Sequence, residues 1–177
     1  FDEGVLNGLE KILDQTATDS DRVSFLSHGT TVGTNAVLEG EIPKLGLITN
    51  EGLRDVLEIG DQTRPDLYDL QTEKPPALIP RYLRRGVPGR VDSTGAVVEE
   101  LDQASVESVV EELVSEDVES IVVSMLFSYL DPTQEQEVGE IIEQIAPQTD
   151  YTLSSTVHPE IREYERTITT VLNEAIK

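Results

Sequence analysis

The sequence predicts an α/β protein with a mainly parallel sheet whose strands are joined by crossover helices. From residue 102 onward, the apolar periodicity follows the order helix, strand, helix, strand, helix, which is typical of parallel strands with right-handed crossovers. Residues 120–130 are a nearly continuous apolar run, as expected of a strand that is buried on both faces. The Asp-Pro-Thr-Gln sequence at 131–134 then provides the residue types that begin a helix.

Shorter elements are predicted in the first part of the chain. Apolar residues recur at helical spacing over 4–15, which predicts an amphipathic helix. Apolar runs predict strands over 23–27 and 45–49, and a short helix that ends at Gly60 follows the second strand.

Residues 61–90 differ in composition from the rest of the chain. They hold five of the nine prolines and six of the thirteen basic residues. Because proline opposes both helices and central strands, we predict a long irregular loop. Its basic side chains could bind a phosphate or a carboxylate, or they could form ion pairs with the acidic surface.

The second half of the chain is strongly periodic. The Asp-Ser-Thr-Gly sequence at 92–95 predicts a hairpin over 91–101. The remaining predicted elements are a helix from Asp102, the buried strand described above, a helix that stops before Pro147, a strand over 151–157 and a last helix opened by His158-Pro159. We therefore expect two α/β subdomains, 1–90 and 91–177.

Charge restricts the partners that the protein can have. Acidic residues outnumber basic ones by 35 to 13, and the formal net charge is −22. Such a charge repels nucleic acids and anionic membrane surfaces, so we expect neither as a partner. Arginines exceed lysines nine to four, and we favour a folded protein from a halophile, in which high salt screens the charges. The alternatives are an acidic mesophilic protein and a partly disordered chain.

The chain lacks the marks of secretion and membrane insertion. It has no cysteine, no secretory signal, and no apolar run of the roughly 18 residues that a spanning helix needs. We therefore expect a cytoplasmic protein. The chain opens with Phe rather than Met and stops within a predicted helix, so we expect it to be part of a longer subunit.

The densest group of polar side chains is the sequence His-Gly-Thr-Thr-Val-Gly-Thr-Asn at 28–35, between a predicted strand and a helical pattern. Such a turn offers backbone N–H groups, hydroxyls and a helix N-terminus to an anion or a polar substrate. The glycine spacing matches neither a Walker loop nor a dinucleotide fingerprint. The alternative is a capped turn whose hydroxyls bind the local backbone.

The last predicted helix carries a second candidate site. Arg162, Arg166, Thr169 and Asn173 are spaced by four, three and four residues and share one helical face. This polar stripe could face a cleft or another domain. Alternatively, neighbouring glutamates pair with the two arginines three residues away. His158 is better interpreted as a capping or surface residue than as a catalyst.

Five motifs occur in one order along nearly the whole chain, and together they closely resemble the N-terminal region of the hydantoinase A / 5-oxoprolinase family. The motifs are His-Gly-Thr-Thr-Val-Gly-Thr-Asn (28–35), Gly-Leu-Arg-Asp-Val-Leu-Glu-Ile-Gly (52–60), Arg-Pro-Asp-Leu-Tyr-Asp (64–69), Phe-Ser-Tyr-Leu-Asp-Pro (127–132) and Glu-Ile-Arg-Glu-Tyr-Glu-Arg-Thr (160–167). That family includes ATP-dependent N-methylhydantoinases, 5-oxoprolinases and the β subunits of acetone-type carboxylases.

The resemblance implies a fragment of an actin/sugar-kinase-like (ribonuclease H-like) ATPase architecture. ATP and Mg²⁺ would activate the carbonyl of a small cyclic amide by phosphorylation, and water would then open the ring. The family's phosphate-binding motifs are expected outside this chain, so the fragment alone is not expected to hydrolyse ATP. The resemblance also implies a B-type partner subunit and an oligomer. The alternatives are a β-subunit-like part of an acetone-type carboxylase and a non-catalytic interaction module of the same fold.

The resemblance also suggests roles for individual residues. His28, Thr30 and Thr31 would be catalytic, and Asn35 would face the substrate beside them. Arg64 would bind an anionic group of the substrate. Arg162, Glu163 and Arg166 would line the substrate cleft or hold in place the residues that line it. The metal ligands are not identified, and a lone His28 supports a metal site only weakly.

Overall fold

The structure is a computed structural model that describes residues 2–17, 19–25, 31–40, 42–63, 66, 68–69, 71–72 and 74–177. The chain divides into two compact units, Phe1–Val32 and Gly33–Lys177. The first unit contains helix α1 (Asp2–Thr16), which confirms the helix predicted there, and a single 3₁₀ turn (Ser20–Arg22). Residues 23–25 form no strand, contrary to the prediction, and residues 26–27 lie outside the described residues.

The second unit is built on a four-stranded parallel sheet with the strand order β2-β1-β5-β6. Its strands are β1 (Leu45–Asn50), β2 (Arg84–Val87), β5 (Ser120–Val123) and β6 (Asp150–Leu153). The two central strands are fully buried, as the continuous apolar runs predicted. The parallel α/β fold is therefore confirmed.

A separate two-stranded antiparallel hairpin confirms the turn predicted at residues 92–95. It consists of β3 (Arg90–Val91) and β4 (Val97–Glu99). The Asp92 carboxylate accepts hydrogen bonds from Thr94 Oγ1 at 2.6 Å, Thr94 N at 2.7 Å and Ala96 N at 3.1 Å. These bonds, chiefly the one from the Thr94 hydroxyl, hold the pKa of Asp92 below its usual value.

Helices cover both faces of the parallel sheet. The second unit contains α2 (Val32–Glu39, whose first residue belongs to the first unit), α3 (Val56–Ile59), α4 (Gln103–Ser115), α5 (Thr133–Ile145), α6 (Ser154–Val157) and α7 (Glu163–Ala175). None of the helices in the described part of the chain is long and apolar enough to cross a membrane.

Strand alternation assigns the helices to the two faces. A Cβ at Gly46 would lie 3.1 Å from Leu113 of α4, whereas Glu174 of α7 accepts hydrogen bonds from Ser120 Oγ, at 2.7 Å, and from Thr152 Oγ1. Gly46 pairs with Ile121, the neighbour of Ser120. Because successive side chains point to opposite faces, α4 and α7 lie on opposite sides of the sheet. Helix α3 packs against α7.

The predicted 61–90 loop contains a strand that the sequence did not indicate. Strand β2 reads Arg-Arg-Gly-Val, and its first residue, Arg84, is buried. Two arginines and a glycine give no apolar pattern, so nothing in the local sequence distinguishes this strand from a loop. Strands from both sides of residue 90 join in one sheet, so the predicted subdomains 1–90 and 91–177 do not coincide with the compact units.

Two further element bounds differ from prediction near the end of the chain. The strand predicted over 151–157 stops at Leu153, and α6 follows it directly. Helix α7 begins at Glu163 rather than at His158-Pro159, and Arg162 before it has a φ of +83°. Helix α5 begins one residue later than predicted, at Thr133, where the Asp131 carboxylate accepts a hydrogen bond from the backbone N–H at 3.0 Å.

Candidate functional site

The carboxyl ends of the parallel strands bring three of the five sequence motifs to one edge of the sheet. Motif 52–60 follows β1, motif 127–132 follows β5, and motif 160–167 follows β6 and α6. Ligands of open α/β sheets bind outside this edge. The carboxyl edge is therefore the candidate functional site.

Asn50, the last residue of β1, joins two of the loops at this edge. Its side chain is buried. Its Oδ1 accepts a hydrogen bond from Leu126 N at 2.6 Å, and its Nδ2 donates to the Gly89 carbonyl at 2.5 Å. Asn50 thus fixes the loop after β5 against the turn between β2 and β3.

Arg166 of α7 joins the segments that follow β5 and β6. Its side chain is completely buried. The guanidinium donates to the Met125 carbonyl at 2.9 Å, to the Glu160 carbonyl at 3.0 Å and to Ser154 Oγ at 3.2 Å. Its carbon lies 5.6 Å from the centre of the Tyr129 ring, within cation–π range. We call this set of contacts the Arg166 clamp.

Glu135, in the first turn of α5, holds the same two segments from the other side of the sheet edge. It has no exposed surface. One carboxylate oxygen accepts hydrogen bonds from Met125 N at 2.8 Å and Ser154 Oγ at 2.6 Å, and the other accepts from Ser155 N at 2.8 Å. Ser154 therefore bridges a buried anion and the buried cation Arg166. Buried charges persist where hydrogen bonds satisfy them in this way.

Two residues at the edge have backbone conformations that usually require glycine. Phe127 has a φ of +57° and Arg162 a φ of +83°. Such conformations cost about 1–3 kcal/mol each and persist where the surroundings enforce them. Hydrogen bonds from Leu130 N, at 2.8 Å, and Asp131 N, at 3.3 Å, to the Phe127 carbonyl hold the first of them.

A cleft of about 430 Å³ lies between α3, the segment after it and α7, the helix that also carries Arg166. Its walls include Leu57, Glu58, Gly60, Lys74, Tyr164 and Ile168. A Cβ at Gly60 would lie in ordinary contact with the Tyr164 ring, at 3.5 Å, so motifs 52–60 and 160–167 lie next to each other at this wall. Val37 of α2 also lines the cleft, so the helix that contains the last four residues of the 28–35 motif reaches this site.

A well-formed surface ion pair joins the residue before α3 to the basic 61–90 segment. Arg81 donates to both carboxylate oxygens of Asp55, at 2.8 and 2.9 Å. The hydrogen bond from Arg81 holds the pKa of Asp55 below its usual value. Two further pairs, Arg84–Glu58 and Arg85–Glu112, involve residues of β2. Ion pairing with acidic groups, one of the two predicted uses of the basic 61–90 segment, is therefore confirmed for these three arginines.

The structure separates the residues that the sequence grouped on the last helix. Arg162 lies outside α7, is exposed and pairs with Glu165 at 3.0 Å. Arg166 faces the sheet, and Glu163 lies 3.7 Å from its guanidinium. Arg162 does not share the predicted common face, because α7 begins only at Glu163, whereas Arg166, Thr169 and Asn173 lie within that helix. The alternative of ion pairs three residues apart is confirmed for both arginines.

Of the other predicted site residues, the structure describes Thr31 and Asn35, and neither is among the clamp contacts. Thr31 and Asn35 are exposed, Thr31 just before α2 and Asn35 within it. His28, Thr30 and Arg64 lie outside the described residues. No three His, Asp or Glu side chains in the described ranges lie close enough to hold a metal ion, so we assign no residue to Mg²⁺.

Sequence reasoning missed Asn50, Glu135 and Ser154. Asn50 carried a usable signal, because a polar residue directly after an apolar strand lies at the carboxyl edge of a parallel sheet. Glu135 carried none, because acidic residues are common in the first turn of any helix.

The family model of the hydantoinase/oxoprolinase N-terminal region matches residues 1–146. An uncharacterized protein of Methanocaldococcus jannaschii is 40% identical over 99% of this chain and 26% of its own length. The acetophenone carboxylase gamma subunit of Aromatoleum aromaticum is 33% identical over 96% of this chain and 26% of its own.

A solved structure shares the fold of the chain. The crystal structure of an ATP-dependent caprolactamase from Pseudomonas jessenii superposes with a TM-score of 0.82 at 31% identity, over 97% of this chain and 26% of that one. The chain thus spans about a quarter of the length of the relatives that it matches.

Proposed function

Because the chain belongs to the hydantoinase/oxoprolinase family and matches its N-terminal region, we propose that it is the N-terminal part of an ATP-dependent cyclic amide hydrolase. Candidate substrates are hydantoin, N-methylhydantoin and 5-oxoproline. The observation that carries the proposal is the Arg166 clamp, which contacts motifs 127–132 and 160–167 through Tyr129 and Glu160 at the carboxyl edge of the sheet. The same helix, α7, lines a cleft of about 430 Å³.

In this proposal ATP, with Mg²⁺, supplies the phosphoryl group that turns an unreactive amide carbonyl into an electrophile. The described residues form no metal cluster, and we derive no step in which they hold the nucleotide. Their proposed work is to bind and orient the amide. Leu57 and Ile168 offer apolar contact to the ring, and Lys74 offers a polar group.

The roles predicted from the 28–35 motif are part of the proposal. His28, Thr30 and Thr31 would act on the substrate, with Asn35 beside them. The contribution of Val37 to the cleft wall supports this proposal, because α2 contains the last four residues of the motif. Arg162, Glu163 and Arg64 are retained as substrate-binding candidates, whereas we assign Arg166 to positioning because its guanidinium is buried and occupied by protein acceptors.

A second candidate function is part of a carboxylase, which the similarity to the acetophenone carboxylase gamma subunit supports. The same relative is one subunit of an assembly, so we also propose a partner subunit and an oligomer. A non-catalytic module of this fold is the third possibility.

The test is a substrate panel on the full-length protein with its partner subunit. ATP hydrolysis is measured with hydantoin, N-methylhydantoin, 5-oxoproline and caprolactam, and with acetone or acetophenone plus bicarbonate. We expect one cyclic amide to stimulate hydrolysis and to yield the ring-opened product, and we expect His28→Ala to abolish this stimulation. Stimulation by a ketone with formation of a carboxylate product would contradict the proposal and favour the carboxylase. No stimulation in a protein that is folded and binds ATP would favour the module.

A further inference from the structure

Arg84 is a buried cation whose hydrogen bonds are incomplete. It is 1% exposed at the start of β2. Its Nε donates to the Ile79 carbonyl at 2.7 Å, and its Nη2 donates to Glu58 Oε2 at 3.0 Å. Its Nη1 is buried and has no hydrogen-bond partner among the described residues. A buried donor without an acceptor is unfavourable, and its presence in a folded protein calls for an explanation.

The position of Glu58 relates this arginine to the cleft. Glu58 lines the cleft, and its side chain is 64% exposed, whereas that of Arg84 is 2% exposed. Glu58 thus both lines the cleft and contacts the guanidinium. Because loss of this partner would leave a buried charge uncompensated, Glu58 leaves Arg84 only when another anion takes its place.

The rest of the cleft suits a small anion with an apolar body. Lys74, which also lines the cleft, brings a second cation, and its Nζ donates to the Ile59 carbonyl at 2.9 Å. Leu57 and Ile168 supply apolar wall. A guanidinium that presents two neighbouring N–H groups binds a carboxylate in a bidentate manner, and Nη1 and Nη2 of Arg84 are such a pair.

We propose that Arg84 binds the carboxylate of a small ligand in this cleft, and that Glu58 occupies the place of that carboxylate when the ligand is absent. The inference rests on the proposed function in one respect, because it assigns the substrate to the cyclic amides that carry a carboxylate. 5-Oxoproline belongs to this class, and hydantoin and caprolactam do not.

The test compares two ligands that differ in the carboxylate alone. Binding of 5-oxoproline and of 2-pyrrolidinone, the same ring without the carboxylate, is measured by calorimetry on the full-length protein. Glu58→Gln removes the competing charge, so 5-oxoproline is expected to bind about two- to fivefold more tightly. Binding of 2-pyrrolidinone is expected to stay unchanged.

The chain offers a matched control for this variant. Glu112 pairs with Arg85, the neighbour of Arg84, at 2.9 Å, and its side chain is 55% exposed. Arg85 pairs with Ile48 in the sheet register and Arg84 with Leu47, so the two arginines point to opposite faces. Glu112→Gln is therefore expected to change the affinity for neither ligand.

Two further variants test the cations. Lys74→Gln is expected to weaken the binding of 5-oxoproline about two- to fivefold. Arg84→Lys is expected to weaken it about tenfold or more, because lysine lacks the second N–H group of the guanidinium fork. If Arg84→Lys does not fold, the binding affinities of the Glu58 and Lys74 variants test the proposal. An unchanged or weaker affinity of the Glu58 variant for 5-oxoproline, or an equal gain for 2-pyrrolidinone, would overturn the proposal.

Inorganic phosphate is the third probe. If Glu58→Gln tightens the binding of phosphate but not that of 5-oxoproline, the cleft is a phosphate site and the carboxylate assignment is wrong. Failure of this inference is distinguishable from failure of the proposed function. Turnover of a cyclic amide without any effect of Glu58→Gln would overturn the carboxylate site alone. Selective binding of 5-oxoproline with the expected Glu58 effect, but without turnover, would support the site and overturn the hydrolase.

Discussion

At the scale of single residues, Arg166 connects the largest number of separate segments at the carboxyl edge. Its guanidinium reaches the loop after β5 through the Met125 carbonyl and the segment after α6 through the Glu160 carbonyl. Ser154 links it to the buried Glu135 carboxylate. Because all these groups are buried, removing one partner leaves others unsatisfied, and that is more costly than losing an exposed pair.

We predict that Arg166→Met opens the loop after β5. Amide hydrogen exchange over residues 124–130 should accelerate, because the Met125 carbonyl and Ser154 lose their donor. The loss of a buried charge partner is expected to destabilise this region by about 3–5 kcal/mol. Exchange is measured by mass spectrometry on the full-length protein.

Arg162→Met is the control for this prediction, because Arg162 is exposed and pairs only weakly with Glu165. Amide exchange of the Arg162 variant over residues 124–130 should match that of the unmodified protein. Equal exchange in the Arg166 variant and the unmodified protein would show that the clamp does not hold the loop.

The sequence identified Arg166 as a candidate site residue, but it did not indicate the contacts that Arg166 makes. Helical spacing placed it beside Arg162 on one polar face, and that inference depended on a helix beginning at His158-Pro159. Arg162 instead has a positive φ, which its residue type does not suggest, and the helix therefore does not extend back to His158. Arg166 then points into the molecule, where its hydrogen-bond partners Glu160, Ser154 and Met125 lie 6, 12 and 41 residues away in the chain. Helical spacing does not indicate these contacts.

At the scale of elements, α5 packs closely against β6 at Gly139. A Cβ at Gly139 would lie 2.7 Å from Tyr151 Cε2. The Tyr151 hydroxyl donates to Glu143 at 2.7 Å, and this bond raises the pKa of Tyr151 above its usual value. The Tyr151 ring is therefore held by its backbone in β6 and by the hydrogen bond to Glu143. It cannot easily move away from a Cβ at position 139.

We predict that Gly139→Ala lowers stability by about 1–3 kcal/mol, because overpacking exceeds the gain in helix propensity. The measurement is the thermal unfolding midpoint. Gly8→Ala in α1 is the matched control, since no atom lies within 4 Å of a Cβ there and helix propensity alone should act. A midpoint for Gly139→Ala at or above that of the control would refute the packing argument.

Element prediction succeeded where one pattern dominated the segment. The buried strand β5, the hairpin turn at 92–95 and helices α4 and α5 have strong apolar periodicity or turn chemistry, and all are present. Strand β2 failed because its stability comes from tertiary partners of Arg84 and Arg85 rather than from an apolar pattern.

At the scale of the whole molecule, the net charge of −22 dominates the electrostatics. Self-repulsion of this size disfavours the folded state, and it is screened as the Debye length falls from about 10 Å at 0.1 M salt to about 3 Å at 1 M. We therefore predict that the thermal midpoint rises steeply between 0.1 M and about 2 M KCl. A sucrose series controls for effects that do not depend on charge. A flat response to KCl would contradict the interpretation of a halophilic protein.

The central claim is that the carboxyl edge of the parallel sheet is where the substrate binds. Hydrogen exchange of the full-length protein, with and without the cyclic amide that it turns over, tests this claim most directly. The account predicts slower exchange over residues 51–63, 124–132 and 154–166 when the amide is bound, and no change in the hairpin at 92–97. Unchanged exchange at these three segments, with protection at the opposite edge over 116–120 and 146–150, would contradict it.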